Sequence, residues 1–89
     1  MIKRIPKNNN RLWKYRTIMG YKQKTVAKIL GLQPGTISKW ELEKVYPSLK
    51  NALKLSILYD QPLEELYIDL TRKFTDEIQE RKKSLNDIK

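Results

Sequence analysis

Apolar residues recur along this chain at the spacing of α-helices, and no segment alternates in the manner of a β-strand. A first helix is predicted between Asn10, a favourable N-cap residue, and Gly20, which ends it. Its apolar side consists of Leu12, Tyr15, Ile18 and Met19. Residues 22–31 predict a second helix, in which Gly31 supplies the left-handed residue that often follows a helix. Its buried stripe consists of Val26, Ala27 and Leu30.

A third helix is predicted over residues 34–42, directly after the short turn Gly31-Leu32-Gln33. Pro34 suits the first helical position because its missing N–H would have no partner there. Ile37 and Trp40 lie three positions apart, so we expect both to face the core. The positions left on the outside are Gln33, Gly35, Ser38 and Lys39.

Three further helices are predicted in the second half of the chain. Ser48 can cap a fourth helix, whose apolar positions are Leu49, Ala52, Leu53, Leu55 and Leu58. A short fifth helix follows the break at Pro62, with Leu63, Leu66 and Tyr67 as its apolar residues. A sixth is expected from about residue 70 to near 88, with a stripe formed by Leu70, Phe74, Ile78, Leu85 and Ile88. The predicted fold class is therefore all-α.

The composition restricts the chemistry that the chain can perform. It contains no Cys and no His, which removes disulfides, soft metal ligands and the commonest general base at neutral pH. We therefore expect no metal site, no cofactor and no enzymatic activity. There is no apolar run long enough for a membrane span, and the first residues lack the apolar stretch of a signal peptide. The absence of Cys fits a cytoplasmic protein.

The positive charge is concentrated in the first two thirds of the chain. Through Asp60 there are 13 Lys and Arg against 3 acids, a balance of +10, and beyond it 6 against 7, a balance of −1, which together give the net charge of +9. A domain with this excess attracts polyanions, of which DNA is the densest in a cell. A soluble, lysine-rich protein without such a partner is the alternative.

The second and third predicted helices, with the glycine-containing turn between them, have the pattern of a helix-turn-helix. The second helix of such a motif projects from the body and enters the major groove, which is about 12 Å wide. Large apolar residues must hold one of its sides, here Ile37 and Trp40, so that the other side reaches the bases.

The chain resembles the phage-repressor and Cro-like helix-turn-helix transcriptional regulators, also called the xenobiotic-response-element type, over residues 12–67. The resemblance is carried by Arg16, Gly20-Tyr21-Lys22-Gln23, Val26-Ala27, Leu30-Gly31-Leu32, Ile37-Ser38, Trp40-Glu41, Pro47-Ser48-Leu49 and Leu63-Glu64-Glu65-Leu66. It implies a compact five-helix lambda-repressor-like DNA-binding domain with an additional C-terminal helix. The expected division is a flexible basic arm at 1–10, the helix-turn-helix domain at 11–68 and the C-terminal helix at 69–89.

The resemblance also implies roles for individual residues. Gln23 matches a glutamine that clamps a phosphate and supports the recognition helix, and Arg16 and Glu41 match a structural ion pair. The positions on the exposed face of the recognition helix are Gln33, Pro34, Gly35, Ser38 and Lys39. Lys22 departs from the family because a Ser, Thr or Asn cap, worth about 1 kcal/mol, is usual there.

Pro34 and Gly35 depart from the family as well, because neither side chain can form a hydrogen bond. Direct readout would then rest on Gln33, Thr36, Ser38 and Lys39, with Pro34 against a thymine methyl. Lys22, Lys28 and Lys44, together with Lys24, would contact phosphates, or form a solvated face if no DNA binds. Gln33 as a simple helix cap and Lys39 as a phosphate contact are the alternatives.

Three functions remain open from the sequence. The first is a transcriptional regulator, in particular a repressor that binds a pseudo-palindromic operator on double-stranded DNA as a homodimer. The second is the antitoxin of a toxin–antitoxin pair, and the third is a protein-interaction or RNA-binding module. Residues 69–89 would pair with a second copy, contact another protein, or pack in cis on Ile18 and Ile29. The arm, with Lys3, Arg4 and Lys7, would lie along a groove or have no role.

Overall fold

The computed structural model describes residues 10–86, and within this part of the chain the only regular elements are α-helices. They are α1 (Leu12–Ile18), α2 (Gln23–Leu30), α3 (Pro34–Glu41), α4 (Leu49–Tyr59), α5 (Leu63–Leu66) and α6 (Ile68–Asn86). The expected all-α fold, a small helix-turn-helix domain with an extra C-terminal helix, is confirmed. The arm predicted at residues 1–10 lies outside the described residues except for Asn10.

Local side-chain chemistry starts and ends these helices. The Asn10 carboxamide oxygen accepts the N–H of Leu12 at 3.1 Å, and its amide donates to the Trp40 carbonyl at 3.0 Å. The N-cap of α1 is thus Arg11 rather than the predicted Asn10, but the Asn10 side chain still satisfies the first N–H of the helix and ties it to the end of α3. At α4, the Ser48 hydroxyl accepts the Asn51 N–H at 3.2 Å, as predicted. Gly31 ends α2 with φ +73°, in the left-handed region that glycine enters at no steric cost.

The core lies where α1, α2, α3, α4 and α5 meet. Its buried apolar side chains are Leu12, Val26, Ala27, Ile37, Trp40, Leu55, Tyr59, Leu66 and Tyr67. Both residues predicted to anchor the third helix belong to it, Ile37 at 1% and Trp40 at 3% exposure. Burial of such large side chains supplies most of the free energy that holds short helices together.

Several apolar residues that share a helix with core residues do not reach the core. On α4 the buried positions are Ala52, Leu55 and Tyr59, whereas Leu49 and Leu53 remain 70% and 49% exposed. The apolar residues of α4 lie on more than one side of the helix, and only the side that carries Ala52, Leu55 and Tyr59 faces the core. Ile18 and Met19 are exposed because they lie at and just after the C-terminal end of α1.

The last helix extends away from the core. It begins at Ile68, two residues earlier than the periodicity predicted, and its nearest neighbour is α5. Ile68, Leu70 and Thr71 are half-buried, and every side chain described from Arg72 onward is exposed. Ile18 and Ile29, at 64% and 53% exposure, are not covered by it. Ile88 lies outside the described residues. Among residues 10–86, no helix combines the length and the apolarity that a membrane span requires.

Candidate nucleic-acid interface

The turn between α2 and α3 fixes the direction in which α3 leaves the body. The Leu32 N–H donates to the Ala27 carbonyl at 2.8 Å, which closes the C-terminus of α2 around Gly31. Gln33 follows with extended backbone, and Pro34 begins α3 with its ring at the first helical position. Because each of these steps is locally determined, the two helices keep a fixed relative orientation.

The face of α3 opposite the core carries the predicted base-reading positions. Ile37, Trp40 and Glu41 point inward and are buried. Gln33, Pro34, Gly35 and Lys39 are exposed, and Thr36 and Ser38 are half-buried at the edges of this face. The structure thus places Gln33, Pro34, Gly35 and Thr36 at the N-terminal end of α3, with Ser38 and Lys39 further along the same helix.

A hydrogen-bonded network anchors α3 to the helices behind it. The Arg16 guanidinium contacts both carboxylate oxygens of Glu41, with Nε at 2.6 Å from Oε2 and Nη2 at 3.1 Å from Oε1. Arg16 Nη1 also donates to the carbonyl of Tyr21 at 2.9 Å, in the turn before α2. One side chain of α1 therefore contacts both the turn before α2 and the end of α3. The bidentate geometry makes the two bonds between Arg16 and Glu41 strong and directional.

Gln23 joins the same network from the first turn of α2. Its Nε2 donates to Glu41 Oε1 at 2.9 Å. Gln23, which was expected to support the recognition helix, thus contacts α3 at the buried carboxylate of Glu41. A carboxamide nitrogen carries two hydrogens, and this bond uses one. The second remains for another acceptor at the half-exposed surface.

The hydroxyl of Tyr59 lies on the core side of this network without a hydrogen-bond partner among the described residues. Burial, reinforced by the negative charge of Glu41, raises the pKa of Tyr59 well above its usual value. Tyr59 therefore stays protonated at any physiological pH and adds no second negative charge beside Glu41.

Gly35 has no structural reason to lack a side chain. Its backbone is ordinary right-handed helix, and a Cβ built there would meet nothing within 4 Å. Glycine inside a helix costs about 0.5–1 kcal/mol relative to alanine. The fold thus gains nothing from this glycine, which leaves α3 with a smooth surface beside Lys39.

The exposed charge from Asn10 to Tyr59 is almost entirely positive. This stretch has two acids, of which Glu41 is buried against Arg16 and Glu43 is half-buried. All of its lysines are exposed: Lys14, Lys22, Lys24, Lys28, Lys39, Lys44, Lys50 and Lys54. The predicted phosphate contacts Lys22, Lys28 and Lys44 are among them. Within residues 10–59, the lysines on and around α2 and α3 therefore have no fully exposed carboxylate to offset their charge.

Two features of this site were missed by the sequence prediction. Asn10 was expected to cap α1, but its bond to Trp40 connects residues 30 positions apart, and no local pattern indicates it. Glu43, just after α3, adopts φ +56°, a left-handed conformation that is uncommon for a side chain of this size and that the sequence did not predict. The Lys44 N–H then donates to the Lys39 carbonyl at 2.9 Å, which ends α3 without a glycine.

Comparison with known families identifies the protein family. A family model described as helix-turn-helix matches residues 14–66, which is more than half of the chain. The chain belongs to the xenobiotic-response-element and Cro-like helix-turn-helix family. This helix-turn-helix protein is thus, in general terms, a DNA-binding transcription regulator, from a family that is not typically enzymatic. No curated protein and no solved structure gives a significant match.

Proposed function

We propose that this helix-turn-helix protein is a repressor that recognises a specific, pseudo-palindromic operator as a homodimer, with α3 in the major groove. The observation that carries the proposal is the outward face of α3, held in place by the Arg16–Glu41–Gln23 network. A recognition helix must be rigid to discriminate between bases, because a displaced donor misses its hydrogen-bonding partner.

Base readout rests on four polar side chains. Lys39 suits the guanine O6 and N7 acceptors, and Gln33 suits the paired donor and acceptor of adenine. Thr36 and Ser38 are short enough to contact bases only when the helix lies deep in the groove, and the smooth surface at Gly35 permits this approach. Pro34, exposed at the start of α3, presents an apolar surface for a thymine methyl.

Phosphate binding rests on the N-terminus of α2 and on the lysines around it. Lys22 takes extended backbone there and its side chain makes no capping hydrogen bond, and the first turn has no acid. The free N–H groups and the positive end of the helix dipole therefore suit a DNA phosphate, with the second Gln23 N–H beside them. Lys22, Lys28 and Lys44 add mobile positive charges that would contact the DNA backbone.

Repression follows from occupancy, since a protein bound in the major groove over a promoter blocks other proteins from the same site. Selection of bound sequences from random duplex DNA tests the proposal. The expected product is an inverted repeat whose half-sites lie about 34 Å apart, one turn of DNA. Retention of DNA without enrichment of any sequence would show a non-specific binder and refute the proposed operator recognition.

A further inference from the structure

We infer that the exposed apolar side of α6 is a docking surface for α6 of a second copy, and that the two helices pair antiparallel around the midpoint between Gln79 and Glu80. The inference deepens the proposed function, because it names how the second copy of the dimer is held. It rests on the spacing and the charge of the described part of α6.

The first observation is an apolar stripe that no other part of residues 10–86 covers. Phe74, Ile78 and Leu85 are 47%, 54% and 59% exposed, and they lie on one side of a helix of 19 residues, about 28 Å long. A helix of this length is marginal in water unless its apolar side is packed against something. Within residues 10–86, the helix meets the rest of the chain only near its start, mainly at α5.

The second observation is that the stripe reads the same in both directions. Arg81 lies on the same side of the helix, and with it the stripe occupies positions 74, 78, 81 and 85, which are symmetric about the point between residues 79 and 80. In an antiparallel pair centred there, Phe74 meets Leu85 of the second copy, and Ile78 meets Arg81 of the second copy. The spacings of four and three residues are those that allow side chains of two helices to interlock.

Charge decides between the two possible directions. A parallel pair in register would place Arg81 directly against Arg81 of the second copy inside the stripe, and like charges at such a position repel. The antiparallel pair separates them. It places Arg81 against Ile78 of the second copy, and the neighbouring residue of that copy, Glu77, carries the opposite charge at the edge of the stripe. Neither Arg81 nor Glu77 has an ion-pair partner among the described residues, so both charges are free for this contact.

The third observation is a groove at the base of the helix. It has a volume of about 320 Å³ and is lined mainly by apolar side chains, among them Tyr46, Leu63, Tyr67, Leu70 and Phe74. Because Phe74 belongs both to this groove and to the stripe, the two surfaces are continuous. The antiparallel register brings Leu85 of the second copy to the Phe74 end of the groove, so a second copy covers the stripe and the mouth of the groove together.

Disulfide trapping in the full chain tests the direction, because the protein has no cysteine of its own. The variants Phe74→Cys and Leu85→Cys are oxidised separately and as a mixture, and covalent dimers are then scored on a non-reducing gel. We expect dimers in the mixture and essentially none from either variant alone. In the antiparallel pair, the two copies of position 74 lie about 16 Å apart along the axis, whereas a disulfide requires Cα atoms within about 7 Å.

Efficient trapping of Phe74→Cys with itself would show a parallel pair and overturn the inference. Failure of the mixture to cross-link would overturn it as well, because the partner would then lie elsewhere. Candidates are the exposed apolar side of α4 formed by Leu49, Leu53 and Ile57, or a different protein.

Sedimentation equilibrium without DNA supplies the second measurement. Wild-type protein at tens of micromolar should have twice the 10.6 kDa mass of one chain, and Ile78→Glu should have the mass of one chain. The matched control, Gln79→Glu, adds the same charge on the other side of α6 and should remain dimeric. A monomeric wild type, or a dimeric Ile78→Glu, would contradict the inference. Neither measurement involves DNA, so a failure of this inference can be distinguished from a failure of the proposed operator recognition.

Discussion

Arg16 and Glu41 join the first and third helices through two hydrogen bonds, of 2.6 and 3.1 Å, and the Glu41 side chain is only 2% exposed. The pair does more than neutralise a buried carboxylate. It also fixes the C-terminal end of the recognition helix relative to the turn at Tyr21, which Arg16 contacts through its third nitrogen.

Removal of the Arg16 side chain should therefore lower the free energy of unfolding more than removal of a surface arginine would. Arg16→Ala leaves the Glu41 carboxylate buried with Gln23 as its remaining partner, and breaking a buried pair in this way costs on the order of 3–5 kcal/mol, against under about 1 for an exposed pair. Urea unfolding followed by circular dichroism measures the loss. The double variant Arg16→Ala/Glu41→Ala should lose less than the sum of the single variants, and strict additivity would show that the pair is not coupled.

Two glycine-to-alanine substitutions should change stability in opposite directions. Gly35→Ala should raise the free energy of unfolding by up to about 0.5–1 kcal/mol, because it improves helix propensity and its methyl group meets no neighbour. Gly31→Ala makes the same chemical change at φ +73° and should lower it. Thermal melts of both variants give the comparison.

Gly35→Ala should nevertheless weaken operator binding, because the added methyl group stands on the face that approaches the bases. A variant that is more stable and binds as well as wild type would show that Gly35 is not part of the DNA interface.

The contact between α1 and α5 should make stability depend on pH. Glu65 accepts hydrogen bonds from the Tyr15 hydroxyl at 2.5 Å and from Arg11 at 2.9 Å, and the Tyr15 bond, followed by the charge of Arg11, lowers the pKa of Glu65. A lowered pKa means that the folded state favours the ionised form. Its contribution is therefore present above the ordinary value near 4.5 and is lost as the pH falls through the lower, folded value.

Glu65→Gln should accordingly be less stable than wild type at neutral pH, and the difference should shrink as the pH falls below about 4.5. Chemical unfolding at pH 7 and at pH 3 measures it. A difference of the same size at both values would mean that the ionisation of Glu65 does not contribute to folding.

The sequence predicted the backbone of α2, the turn and α3 better than the packing of α4, because each determinant of the turn acts locally. Gly31 and Pro34 act on their own backbone, and the spacing of Ile37 and Trp40 orients α3 wherever the core lies. Leu49 and Leu53 were less informative because α4 has apolar residues on more than one side, and only the packing angle selects which side is buried.

Contacts across long sequence separations could not be predicted either. The bond from Asn10 to Trp40 and the salt bridge from Arg11 to Glu65 join residues 30 and 54 positions apart. Trp40 takes part through its backbone carbonyl, and Asn10, Arg11 and Glu65 each have the pattern of an ordinary surface residue, so nothing local indicates either contact. By contrast, the family resemblance placed Arg16 and Glu41 as a pair, and the structure brings them together.

The lysines around α2 should contribute to affinity without contributing to specificity. Lys22→Ala and Lys28→Ala should each weaken binding to all duplexes alike and reduce the slope of log affinity against log salt by about 0.9, the effect of one lost phosphate contact. Lys83→Ala, an exposed lysine on α6, is the control and should leave the slope unchanged. Fluorescence anisotropy over a salt series gives the slopes. Identical slopes for all three variants would show that Lys22 and Lys28 do not contact the DNA backbone.

The central claim is that the outward face of α3 reads bases, and Lys39 is the one charged side chain that α3 exposes. The most direct test is to titrate wild type and Lys39→Ala against the selected operator and against duplexes that each change one base pair. The account predicts that Lys39→Ala weakens operator binding and loses discrimination at one base pair of each half-site, by roughly 1–3 kcal/mol, with discrimination elsewhere retained. Unchanged operator affinity, or an equal loss on every duplex, would contradict it.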